Sequence, residues 1–144
     1  MTGFRSRSIG PLLLLCAAAL SCGSNRQLNS VALNPPTADA KNSANGEVQF
    51  TATGVFSNSN TPVTLTSKDI TWCYGGPAPV ATFTSGQCAG NIAQVASVDQ
   101  NGLAQCNSGY QGQVFILAGT PSGSAMPDMG VQLKVYGVAT LTCP

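Results

Sequence analysis

The sequence predicts an all-β sandwich of about seven short strands, and two stretches carry most of that prediction. Apolar and polar residues alternate in residues 47–54 around Phe50, and again in residues 69–73 around the only tryptophan, Trp72. Alternation with a period of two places like residues on one face of a strand, so each stretch indicates a strand with one buried face. No amphipathic helical pattern follows residue 30. Turn-forming residues recur between short apolar runs, which is typical of a sandwich.

The first strands are predicted from short apolar runs and the residues that interrupt them. Residues 31–33 indicate an edge strand that ends at the following Pro-Pro pair, because proline cannot donate a hydrogen bond to a β-ladder. A Ser/Asn/Pro-rich loop at 57–62 precedes a short strand at 63–66, and the strand around Trp72 follows.

The second half of the chain adds a hairpin and two further strands. Short β-prone runs at 95–98 and 103–105 flank an Asn-Gly turn, which predicts a hairpin. The near-continuous apolar run at 113–118 indicates a central strand that its neighbours cover. A Gly/Pro/Ser-rich loop is predicted at 119–130, and a last strand begins at residue 131 and extends to residue 141.

The N-terminus predicts export and a lipid anchor. Arg5 and Arg7 precede an apolar run at 12–20, which fits a secretory signal and is too short for a membrane-spanning helix. Small residues then lead to Cys22 in a pattern that resembles a bacterial lipobox, with Ala19 where that motif usually has leucine. The resemblance implies that the Cys22 thiol is diacylated and that Cys22 becomes the first mature residue.

These features divide the chain into a signal peptide (1–21), a lipid-anchored tether (22–30) and one domain (31–144). Gly23 follows the cysteine in place of aspartate, which by resemblance to lipoprotein sorting rules implies the outer membrane, on its periplasmic or surface face. A chain that is not lipidated would be secreted.

The composition excludes several functional classes. Charged residues make up 8% of the chain, against about 25% in an average soluble protein. After cleavage before Cys22, four basic residues would face five acidic ones, a net charge of −1. This balance gives no electrostatic footprint for nucleic acid. The chain has no histidine, the commonest general base and metal ligand, and we expect neither enzymatic activity nor a cofactor.

Several segments, in order and spacing, resemble the bacterial immunoglobulin-like domain, group 2, over roughly residues 29–139. The matching segments are 31–35 at the start, 48–54 for strand B, 70–72 for strand C, 95–98 with 101–103 for the D–E hairpin, and 112–118 for strand F. The chain departs from the family in a long, Cys-containing C–D connection. The resemblance implies a module of cell-surface and envelope proteins, common in adhesins and as a spacer, with no shared active site.

Four cysteines remain in the domain: Cys73, Cys88, Cys106 and Cys143. In an exported domain they predict two disulfides, with three connectivities open. We favour Cys73–Cys88 with Cys106–Cys143, because the first pair closes the shortest loop. A zinc site is disfavoured, since no two cysteines have the C-x2-C spacing. In the resembled sandwich the ends of strands C, E and G and the C–D connection share one pole, so all four cysteines are expected to cluster there.

Aromatic residues are the candidates for a contact surface. Trp72 is expected on the inward face of strand C, which predicts a core side chain rather than a surface on which a sugar ring stacks. Tyr74, Phe83 and Tyr110, near the expected cysteine pole, are the better candidates. The Asp-Gln-Asn-Gly sequence at 99–102 resembles part of a calcium loop, but it lacks further carboxylates and predicts a hairpin turn.

The sequence therefore predicts a non-enzymatic envelope lipoprotein with one Ig-like domain, acting in surface display, adhesion or structural interaction. Its expected partners are the membrane, through the N-terminal lipid, and an unknown envelope protein or glycan. The alternative is a carbohydrate- or peptide-binding module that uses the C–D insertion, from Cys73 to about Gln94, and the F–G loop, Gly119 to Gly130. Open aromatic residues along a groove would favour the alternative, whereas an insertion buried beneath the disulfides would indicate a cap.

Overall fold

The computed structural model describes residues 26–77, 86–90, 95–126 and 130–144. These residues form an all-β sandwich with ten strand segments and two single-turn 3₁₀ helices, Ala40–Asn42 and Ala44–Gly46. The strands are β1 (Leu28–Asn34), β2 (Thr37–Asp39), β3 (Glu47–Gln49), β4 (Thr51–Phe56), β5 (Ser59–Thr64), β6 (Thr71–Pro77), β7 (Ala96–Val98), β8 (Leu103–Cys106), β9 (Gly112–Met126) and β10 (Gly130–Cys143).

One layer is built around β3 and β4, which are a single run interrupted at Phe50. β4 pairs with β1 and β5, and β3 pairs with β8, which pairs with β7. The Phe50 N–H donates to Gly102 O at 2.9 Å, and the Leu65 N–H donates to Ala52 O at 2.8 Å. Since residues 50 and 52 direct their backbone groups to the same edge of a strand, the β7–β8 hairpin and β5 follow one another along that edge.

The second layer has the order β2-β10-β9-β6. Its centre is the long antiparallel pair β9 and β10, in which Cys143 lies opposite Gly112 and Gly130 lies opposite Met126. β2 pairs in parallel with β10, and the Thr140 N–H donates to Pro36 O at 2.9 Å. The N-terminal segment therefore joins both layers, with β1 in one and β2 in the other.

The core lies between the layers and follows the predicted alternation. Its largest fully buried side chains include Phe50, Val114, Ile116 and Leu141. Trp72 packs against this core as expected, but it remains half-buried. The predicted strands at 47–54, 95–98 and 103–105 are present with nearly the expected bounds.

Four segments differ from the sequence prediction. The loop expected at 119–130 is wrong over most of its length, because β9 continues to Met126 and β10 begins at Gly130. β5 starts at Ser59 within the loop expected at 57–62, and β6 extends through residues 74–77. In each case a neighbouring strand supplies the backbone hydrogen-bond partners. Segments rich in Gly, Pro and Ser can therefore pair in a β-sheet, although their composition indicates loops. β1 begins at Leu28, inside the expected tether, because Leu28 is a buried core residue.

Candidate functional site

The Cys73–Cys88 disulfide lies on the outer face of the second layer. It has an S–S distance of 2.03 Å and a Cα–Cα distance of 5.7 Å. Cys73 lies opposite Leu117, and residues 115 and 117 of β9 point away from the side that Val114 and Ile116 present to the core. Cys88, Leu117 and Leu133 form a second apolar cluster with Cys73, Val131 and Tyr136 beside it.

Backbone hydrogen bonds hold residues 86–90 on that outer face. The Cys88 N–H donates to Val131 O at 3.0 Å, and the Leu133 N–H donates to Gly86 O at 2.9 Å. Gly86 has φ of +64°, and a Cβ there would lie 2.6 Å from Tyr136 Cδ1. Because the backbone runs directly over the Tyr136 ring, only glycine fits. The described part of the C–D connection is therefore a cap over the second cluster.

The second disulfide, Cys106–Cys143, lies on the other face of the same layer. Its S–S distance is 1.98 Å and its Cα–Cα distance is 5.8 Å, and Cys143 is part of the main core. The bridge ties β8 to the end of β10. Both bridges are the favoured pairs, but the expectation that all four cysteines cluster at one pole is wrong. The reason is that residues 86–90 turn back along the sheet, whereas Cys143 lies at its end.

A cleft of about 480 Å³ opens where the two layers meet at β6 and β7. Trp72 and Tyr74 line it from the inner face of β6, with Val98 from β7 opposite. Cys88 and Gly90 from the C–D connection and Val131 from the start of β10 also line it. The volume lies in the range of small-molecule sites, about 300–1,000 Å³. Its described wall has apolar and neutral polar groups, which favours an uncharged ligand.

The phenol of Tyr74 is already engaged within this cleft. Its O–H donates to Gly90 O at 2.7 Å, while the Ala89 N–H donates to Tyr74 O at 2.9 Å. Burial raises the pKa of Tyr74 above its ordinary value, because it disfavours the phenolate. Tyr74 is therefore a neutral side chain that fixes residues 89–90 to β6 and presents ring surface to the cleft.

Of the predicted contact residues, Tyr74 and Tyr110 line different clefts. Tyr110 is half-buried, donates its O–H to Gln113 O at 3.1 Å, and lines a separate cleft of about 180 Å³ with Asn45 and Pro144. Phe83 lies outside the described residues. Sequence reasoning missed Val98 and Val131 as cleft residues, since they come from other strands. The i, i+2 spacing of Trp72 and Tyr74 was the one available signal for an aromatic face.

The 99–102 segment forms the predicted hairpin turn. Asp99 Oδ1 accepts hydrogen bonds from the backbone N–H groups of Asn101 and Leu103, both at 2.8 Å. Hydrogen bonds from Leu103, and then from Asn101, hold the pKa of the Asp99 carboxyl below its usual value. The carboxylate thus caps its own turn.

Across the described ranges no group of three or more His, Cys, Asp or Glu side chains could hold a metal ion.

Cys22, the predicted lipidation site, lies outside the described residues. None of the helices in the described ranges is long and apolar enough to span a bilayer. No family model matches the chain, and neither a curated protein nor a solved structure is significantly similar to it.

Proposed function

We propose that the chain is a lipid-anchored, non-enzymatic protein of a bacterial cell envelope, with one Ig-like domain that acts in surface display, adhesion or structural interaction. The observation that carries the proposal is the combination of Cys22 after an apolar export signal with a domain whose other four cysteines form two disulfides. Disulfides persist in oxidising compartments such as the periplasm or the cell surface.

The strand order supports the Ig-like assignment. In that fold, strands A, B, E and D form one sheet and strands C, F and G the other. Here β1, β3 with β4, β8 and β7 occupy one layer in the order A-B-E-D. β10, β9 and β6 are neighbours in the other layer, in the order G-F-C. The proposed family brings no catalytic residues, so the function is sought in surfaces and partners.

A cysteine exchange tests the anchor. We expect Cys22→Ser to move the protein from the membrane fraction to the soluble fraction and to abolish incorporation of labelled fatty acid. Cys16→Ser, within the signal peptide, is the matched control and should leave both unchanged. Membrane retention of Cys22→Ser, with acyl label still incorporated, would contradict the proposed lipidation site.

Crosslinking in intact cells tests the interaction role. Lys41, in the first 3₁₀ helix, and Lys134, within β10, are exposed, so an amine-reactive reagent should join the domain to an envelope partner through at least one of them. Mass spectrometry identifies the products. A protein that crosslinks only to itself at native abundance would contradict a role in hetero-association.

The cleft beside Trp72 favours the second candidate, a module that binds a neutral carbohydrate or peptide. Its wall combines residues of the C–D connection with the end of the F–G hairpin, the two segments that a ligand site would use. Trp72 is the only tryptophan, so saturable changes in its fluorescence report binding directly. Tyr74→Ala should abolish the response, and Tyr110→Ala, in the other cleft, should not. Unchanged emission across a neutral glycan and peptide panel would contradict this candidate.

A further inference from the structure

The chain between Cys22 and the folded domain is shorter than the sequence indicates. The Ser57 N–H donates to Gln27 O at 2.8 Å, and the Gln27 N–H donates to Ser57 Oγ at 3.4 Å. The guanidinium carbon of Arg26 lies 5.5 Å from the centroid of the Phe56 ring, within the range of a cation–π contact. Arg26 and Gln27 are therefore attached to the β4–β5 turn and belong to the domain.

This attachment sets a limit on the tether. Four peptide links join Cys22 to Arg26, and a fully extended chain of that length reaches at most about 14 Å. A tether that ended at Ser30 would have eight links and reach about 29 Å. The headgroup layer on each side of a bilayer is roughly 5–8 Å thick. A cysteine acylated at the edge of the hydrocarbon thus leaves the domain little distance above the headgroups.

We propose, resting on the lipidation of Cys22 proposed above, that one end of the domain lies on the lipid headgroups and fixes its orientation. This near end consists of residues 26–28 and the β4–β5 turn at residues 56–58. Its partner is the phospholipid surface that holds the anchor. The opposite end and the sides of the sandwich are then the surfaces that an envelope partner meets.

The chemistry of the near end fits a headgroup layer. Arg26 is the one charged residue in residues 26–28 and 56–58, and its guanidinium suits phosphate. Ser57 and Asn58 are exposed and neutral. The carboxylates of Asp39 and Glu47, which anionic headgroups would repel, lie beyond the other ends of β1 and β4, at the end of β2 and the start of β3.

The far end, defined as residues 107–111 with Cys143, is well separated from the near end. Gly137 lies against Val31 O. Further along β10, the Thr140 N–H donates to Pro36 O and residues 140–142 pair in parallel with β2, so both segments run in the same direction towards Cys143. The separation between the two ends is roughly 30 Å. It comprises three residue steps from Leu28 to Val31 and six from Gly137 to Cys143, at about 3.3 Å each. Cys143 lies opposite Gly112, where the 107–111 loop ends.

Two labelled variants distinguish the ends. Asn58→Cys places a maleimide fluorophore at the near end and Ser108→Cys places one at the far end, both at exposed positions. The acylated full mature protein is purified from membranes, checked by intact mass, and reconstituted in phosphatidylethanolamine/phosphatidylglycerol vesicles that contain a headgroup-nitroxide lipid. We expect quenching at position 58 to exceed quenching at 108 severalfold. A flexible Gly/Ser insert of roughly a dozen residues after Ser24 should remove most of that difference.

Each outcome decides the matter. Equal quenching at the two positions, stronger quenching at 108, or none at either position in acylated protein would overturn the orientation and leave the lipoprotein proposal intact. A mass without acyl chains would instead overturn the lipoprotein proposal, and the orientation with it. A preference for position 58 that survives the insert would contradict the short tether as the cause of the orientation.

Discussion

Gly102 shows how a single residue sets the distance between the two layers. Its φ is +85°, and a Cβ there would collide with Phe50 O and lie 2.8 Å from Trp72 Cζ2. A glycine at this point lets the β7–β8 turn approach the strand at Phe50 while the Trp72 ring packs over it. An Asn-Gly turn was predictable here from the sequence, but the approach to Trp72 depends on tertiary packing.

We expect Gly102→Ala to lower the free energy of unfolding by roughly 3 kcal/mol or more, because left-handed backbone strain of about 1–2 kcal/mol adds to the steric clash. Urea denaturation measures the change. Gly109→Ala is the control, since Gly109 has φ of +86° but open space around its Cβ position. Gly109→Ala should lower the free energy of unfolding only by the backbone strain. Equal losses of unfolding free energy at the two sites would contradict a steric clash at Gly102.

The lowered pKa values of Asp99 and Asp69 predict a small loss of folding stability at acidic pH. Backbone hydrogen bonds, from Leu103 to Asp99 and from Thr66 to Asp69, hold both carboxyl pKa values below their ordinary range. A group whose pKa is lower in the folded state stabilises the fold above its unfolded pKa of about 3.9 and ceases to do so as the pH falls through the folded value. Carbon NMR titration should show both lowered pKa values, and Asp99→Asn should flatten the acid limb of stability. Unshifted titrations would contradict this.

β5 is an exposed edge strand, and Pro62 limits what it can pair with. Val63 lies opposite Gly54 in the ladder, and the Leu65 N–H also points to β4. The alternation therefore places Pro62 and Thr64 toward the open edge. Since proline has no N–H, the middle of the edge cannot donate to another chain.

We expect Pro62→Val to increase self-association, because it restores a donor to an uncharged edge. Light scattering on the concentrated protein measures this. Thr64→Val raises β-propensity at the neighbouring edge position without adding an N–H, and it should remain as monodisperse as the parent. Association of both variants to the same degree would indicate hydrophobicity rather than the restored amide as the cause.

The two disulfides should contribute unequally. In the chain-entropy account, the sequence separations of 15 and 37 residues correspond to about 3 and about 4 kcal/mol. Cys106→Ala/Cys143→Ala should therefore cost more stability than Cys73→Ala/Cys88→Ala. Hydrogen exchange adds a local test: loss of Cys73–Cys88 should speed exchange of the backbone amides at positions 88 and 133 while the Ile116 amide stays protected. Faster exchange throughout the core would contradict the separation of the two clusters.

At the level of elements, alternation predicted the strands that face the core, and loop length favoured the correct cysteine pairs. The sequence could not predict the first part of β5, at residues 59–62, or the far half of β9. Their Ser, Gly and Pro residues indicate turns, and their strand character comes from pairing with neighbours. The position of residues 86–90 on the outer face could not be predicted either, because it depends on contacts with Leu117, Leu133 and Tyr136, which come from two strands.

At the scale of the whole molecule, the described residues form two β-layers with a bridge on each face of one layer, and β1 begins six residues after Cys22. The sandwich was predictable because its core strands alternate. The cleft between β6 and β7 was not, because its wall comes from five separate segments. We propose that this domain is exported, oxidised and held at a membrane by Cys22.

Intact mass of the protein from its native membrane, before and after reduction with alkylation, tests this proposal. We predict a chain that begins at Cys22 and carries acyl chains, with four cysteines alkylated only after reduction. An unacylated chain in the membrane fraction, or cysteines that alkylate without reduction, would contradict the claim.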